Sequence, residues 1–149
     1  MAHLVLNYAK HALLTGSINL QDVTGANSIY CALINSSAVT DLNVDTHRFF
    51  GDVIGTFSCS GAGYGTAGLV LSSPLVSVDT TNNYGALTAS NMLWPNVTVT
   101  ARGAILYQST GSGLDADPMI CFIDFGADKS VTAGSFTIQW AAAGVLYLT

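Results

Sequence analysis

Apolar and polar residues alternate along most of this chain in short runs, each broken within roughly 8–12 residues by Gly, Asn, Asp or Pro, the rhythm of short strands joined by turns. Candidate strands fall at residues 28–35, 54–59, 69–71, 75–78, 86–91, 97–108, 119–125, 135–140 and 145–148. The segment from Asp79 through Asn82 and Asn83 to Gly85 fits a hairpin turn, because Asn and Gly accept positive φ. Residues 110–113 and 126–128 read as further turns. Only residues 1–14 carry helical spacing, in Leu4, Tyr8 and Ala12 or in Leu4, Leu6 and Leu13, with Gly16 placed to end the helix. A second helical turn fits residues 46–53. Nine strands in about 120 residues are too many for one open sheet with a single buried face. The pattern therefore predicts an all-β chain folded as a two-sheet sandwich. A short N-terminal helical arm occupies residues 1–16, and a single β domain residues 17–149. An isolated helix of that length is marginal in water, so the arm is expected to order on binding, and its deletion to leave the β domain folded.

The longest candidate strand, 97–108, places Val97, Val99, Ala101, Gly103, Ile105 and Tyr107 on one face. The other face is mixed and holds Arg102 in mid-strand. An Arg among such small neighbours is expected to reach a carboxylate, Asp124 or Asp52, with a solvent-facing Arg as the competing reading.

Composition changes the picture of the surface. Of 149 residues, four are Lys or Arg and nine are Asp, with no Glu, while half of the chain is hydrophobic. An ordinary domain is about a quarter charged, and a lone globule of this mass shows solvent roughly 7,000 Å². Too little charge is available to cover that area, so much of the surface is expected to pack against other protein. The four cations, Lys10, Arg48, Arg102 and Lys129, stand singly, which argues against nucleic acid and against an anionic membrane surface. No apolar run approaches the ~18–20 residues of a membrane span. The start carries no basic leader before an apolar stretch, so the chain is expected to be made in a cytoplasm. The sequons at Asn35 and Asn96 then read as chance matches, and Cys31, Cys59 and Cys121 as reduced, buried apolar residues.

Motifs with catalytic or ligand-binding letters lack their context. Gly63, Gly65 and Gly68 match GxGxxG, but the next residues, Leu69 to Leu71, read as strand where a dinucleotide site needs a helix. A bulge or close backbone packing is the better reading. His3, His11 and His47 have no metal-ligand spacing. No GxSxG elbow occurs, and Asp22, Asp41, Asp45, Asp115 and Asp117 sit in polar or Gly-rich loops. No enzymatic activity, cofactor, metal or small-molecule substrate is expected. The aromatic residues are spread evenly as core material, with Trp94 before Pro95 the first candidate for an interface anchor.

Several stretches, taken in order, resemble a group of small tailed-bacteriophage virion proteins. They are Phe50-Gly-Asp-Val53, Gly63-Tyr64 with Gly68-Leu69, Trp94, the run from Thr100 to Tyr107, Ile123-Asp-Phe-Gly126, and Phe136 to Trp140 with Gly144 to Leu146. The likeness runs from about Tyr8 to the end and rests on strand and turn patterns. It implies a jelly-roll-like sandwich and a structural role as a capsid decoration or cement protein on the outer surface of the virion head. It also implies self-association into dimers or trimers, with the major capsid protein as partner. The alternative is a tail-fibre or receptor-binding tip module, which would be β-rich and low in charge as well. On this reading Leu4, Leu6, Tyr8, Tyr64 and Trp94 are the expected interface residues, and Arg102 with Asp124 the expected structural ion pair.

Overall fold

Two adjacent long strands organise the molecule. In the computed structural model, which describes residues 2–21 and 24–148, β6 (Met92–Gln108) and β7 (Met119–Ile138) run antiparallel along most of their lengths. Beside β6 lies β2 (Ile29–Ile34), followed by the two-residue β3 (Leu69–Val70); beside β7 lies β1 (Ala2–Val5). The order β1-β7-β6-β2-β3 makes one five-stranded antiparallel sheet. A second antiparallel sheet has the order β4-β5-β8, from β4 (Leu75–Asp79), β5 (Tyr84–Thr88) and β8 (Leu146–Leu148). The chain is thus mostly β with two antiparallel sheets, and Leu87 and Leu146 of the smaller one, with the adjoining Val145, join the same buried cluster as the larger.

β2 reads Ile-Tyr-Cys-Ala-Leu-Ile and is buried at every position but Tyr30, as a strand covered on both faces must be. Tyr107 of β6 is its aromatic anchor. Its ring stacks on Phe50 at 4.1 Å and on Tyr30 at 5.3 Å, and its hydroxyl donates to the Ala67 carbonyl at 2.8 Å.

The N-terminal segment differs from expectation. Residues 2–5 form β1, with Ala2 opposite Asp124 and Val5 opposite Cys121, and only Asn7–Leu14 form a helix, α1. The β7 edge supplies the pairing that an isolated first turn lacks, and the Leu6 N–H continues the ladder by donating to the Ile120 carbonyl at 3.2 Å. Leu6, Ala9 and Ala12 are fully buried. The segment is therefore part of the core, which corrects the reading of a free arm.

Two short helices follow β2, α2 (Ser37–Asp41) and α3 (Gly51–Phe57). α3 replaces the strand expected at 54–59 and extends past the helical turn expected at 46–53. Val53 and Phe57, four residues apart, are both buried, a helical spacing that overrides the strand preference of β-branched residues. Near its start the Asp52 carboxylate accepts the N–H groups of Arg48 and Phe49 at 2.8 and 2.9 Å.

The turn expected at 126–128 is instead an irregularity inside β7. Ala101 faces Lys129 and Gly103 faces Asp124, so two residues of β6 span five of β7, with Gly126 at φ 81°. A further bulge lies near Ala133, φ 48°, and β6 has its own between Trp94 and Val97. Pro95 sits in that bulge, where its missing N–H costs no ladder bond. The Gly63–Gly68 motif also has a structural account. Gly68 has φ +77°, and a Cβ there would lie 2.0 Å from the Cys31 carbonyl oxygen of β2. Only glycine allows the loop to lie that close to the sheet.

Candidate functional site

Arg102 and Asp124 meet across β6 and β7. Arg102 Nε donates to Asp124 Oδ1 at 2.7 Å and a terminal guanidinium nitrogen to Oδ2 at 3.3 Å, a two-point contact. Asp124 Oδ1 also accepts the Gly126 N–H at 2.8 Å. The Arg102 hydrogen bonds hold this carboxyl below the usual carboxylate range, with the Gly126 amide adding to the effect. Because the β6–β7 register breaks between Ala101 and Gly103, the pair pins the irregularity in place. Asp52, the other candidate partner, is taken up by the start of α3. Its partial burial works to raise its pKa, but the Phe49 and Arg48 amides outweigh that and hold it low.

The expected interface residues separate. Leu6, Tyr64 and Trp94 are at most 8% exposed, so they cannot anchor a surface contact; this corrects the sequence reading. Trp94 lies against Phe136 at 6.1 Å and Tyr64 at 6.3 Å, while the Tyr64 hydroxyl accepts the Leu33 N–H of β2 at 2.7 Å. The large apolar area of these rings drives them into the core. Tyr8 is half-buried against Phe49, with the Arg48 guanidinium 5.9 Å from its ring centre. Of the five, only Leu4 is exposed.

Two open concavities lie along β7. A groove of about 620 Å³ follows β7 from Phe125 through Lys129 and Val131 to Ile138, and Lys129 is its sole titratable lining residue. A smaller one of about 360 Å³ is lined largely by hydroxyls, including Ser58, Thr98 and Thr132, with Cys59. The Cys59 thiol contacts the Thr100 carbonyl at 3.1 Å and burial pushes it up to about 12. Neither lining contains a histidine or carboxylate to act as a base. His47 Nδ1 accepts the Asn43 N–H at 3.0 Å, and His11 lies in the last turn of α1. Asp22 and the side chain of His3 lie outside the described residues. Among the described residues no three metal-ligating side chains converge, and no helix is long and apolar enough to cross a membrane.

The feature that stands out is apolar surface on the smaller sheet. Leu75, Val76 and Val78 of β4 and Tyr147 and Leu148 of β8 are all exposed, Val78 at 77%. These five account for nearly half of the large apolar side chains that face solvent among the described residues, although the sheet is short. Register explains the placement. Val76 faces Leu87, which faces Leu146, and one step outward Val78 faces Gly85, which faces Leu148. The inner row is buried at Leu87 and Leu146, whereas the outer row runs past the edge of the core. The one charged residue on these strands, Asp79, is engaged by the Thr81 and Asn82 amides and the Asn82 side chain. Sequence reasoning missed this surface because it placed the interface on the N-terminal segment, at Leu4, Leu6 and Tyr8, and on Tyr64 and Trp94. The available signal was Leu75-Val76-Ser77-Val78, which puts apolar residues on both faces of one short strand. No protein family, curated protein or solved structure matches the chain.

Proposed function

We propose that this chain is a structural protein of a bacteriophage virion, a capsid decoration or cement component that self-associates and stabilises the head shell through buried area. The observation that carries the reading is the exposed apolar side chains of the smaller sheet, Val76, Val78 and Leu148 on one face and Leu75 on the other, on a chain with little charge. Patches of this kind mark protein contact surfaces. The resemblance of its strand and turn motifs to small phage virion proteins supports the same reading and points to the major capsid protein as partner. The test is to add the protein to purified shells that lack it. Stoichiometric binding and a raised shell disruption temperature are expected; no binding contradicts the proposal.

A receptor-binding tip is the second reading, favoured by one observation. Tyr84 and Tyr147 lie 5.4 Å apart on adjacent strands of the smaller sheet, with Tyr147 exposed, and exposed aromatic faces stack on sugars. Binding to host glycans without binding to shells would select it.

A further inference from the structure

Apart from the two-residue β3, which is also exposed, β4 is the most exposed strand among the described residues, with Leu75 to Val78 exposed and Asp79 half-buried. Its inner edge pairs with β5 without a bulge, and its other edge is unpaired, since β4 is one of the two outer strands of its sheet. Proteins usually block such an edge with a bulge, a lysine or a proline inside the strand. β7, whose edge runs on beyond β1, carries two irregularities and Lys129, whereas β4 has none of these.

We propose that β4 pairs edge to edge with β4 of a second copy of this chain, antiparallel, in the register centred on Ser77. The proposal rests on the assembly reading above and names its contact. An antiparallel edge is self-complementary about a two-fold axis normal to the sheet, so the two smaller sheets join into one of six strands. With Ser77 on the axis, each Val76 lies opposite the partner's Val78 on one face, a favourable β-branched pair. On the other face Leu75 lies opposite the partner's Asp79. The two Asp79 carboxylates are then four residues apart along the strand, ~14 Å, which exceeds the Debye length of ~8 Å in physiological salt. Centring on Val78 would halve that separation, and centring on Val76 would put Pro74, which has no N–H, into the ladder. Charge and backbone chemistry thus favour one register. A contact of this length buries less than the ~1,200 Å² of a standard interface, so pairing in solution is weak and concentration-dependent, and a shell that presents many copies strengthens it.

The test is a cysteine at the axis. Residues opposite each other in an antiparallel pair have Cα atoms about 4.5–5.5 Å apart, within disulfide reach, and Ser77 is exposed. The three native cysteines are buried, so they do not compete. The full chain carrying Ser77→Cys is expected to form a disulfide dimer on mild oxidation at least about tenfold faster than one carrying Ser112→Cys in an exposed loop. Adding Val78→Lys should abolish the difference. Equal rates for the two cysteines, or a Ser77→Cys protein that stays monomeric, overturn the pairing. Shell binding by wild type in that case leaves the assembly reading standing. Rapid cross-linking together with no shell binding supports the pairing and removes the virion reading.

Discussion

Arg102 and Asp124 show what a charged pair does in a chain that has few charges. Their side chains are about three-quarters buried, and the contact is made at two points. Partly exposed pairs contribute modestly, so Arg102→Ala should lower the urea unfolding midpoint only slightly. Asp124 and Asp52 are both held below the ordinary carboxylate value in the folded state. Groups of that kind contribute stability above the unfolded pKa, near 4, and lose it as pH falls through their folded values. Stability should therefore drop below about pH 4, and Arg102→Ala should flatten part of that drop, measured as unfolding midpoints across a pH series. Tyr64 and Trp94 act within the protomer. Tyr64→Phe removes the acceptor of the buried Leu33 N–H and should cost about 1–3 kcal/mol. Trp94→Ala should cost about 3–5 kcal/mol of protomer stability, which equilibrium unfolding of dilute protein would register with no partner present.

The N-terminal segment joins the sheet at the scale of elements. β1 extends β7's pairing, and Leu6, Ala9 and Ala12 enter the core, so deleting residues 1–14 should abolish cooperative unfolding of the remainder; a truncated chain that unfolds cooperatively would contradict this placement. Gly68→Ala should also be severe, because it combines a positive φ with a Cβ 2.0 Å from a backbone oxygen. β2, β4 and the later part of β6 were legible in the sequence because continuous or alternating apolar runs end at turn residues there. The beginning of β6 was not, since Pro95 and Asn96 have turn composition and only the bulge accommodates them. Gly126 to Asp128 misled for the same reason, as turn residues serve a bulge as well as a chain reversal. In α3 the β-branched Val53, Ile54 and Thr56 imitate a strand, and tertiary burial of Val53 and Phe57 decides otherwise. The Arg102–Asp124 contact was foreseeable because a mid-strand Arg needs a carboxylate, whereas the choice between Asp124 and Asp52 depends on a register that sequence does not supply.

For the whole molecule, scarcity of charge becomes a question of where the uncovered apolar area lies. The described chain exposes 7307 Å² in all, close to the area of a compact monomer of its mass. Its apolar surface is uneven, concentrated on β4 and β8. Association through Val76, Val78 and Leu148 should tolerate salt, since screening weakens charge contacts and leaves apolar burial in place. The most direct measurement is co-sedimentation of the intact protein with purified head shells that lack it, alongside Val78→Lys. The account predicts saturable binding by wild type, weakened by Val78→Lys although that variant remains folded. A wild-type protein that stays in the supernatant, or a Val78→Lys protein that binds as tightly, would contradict it.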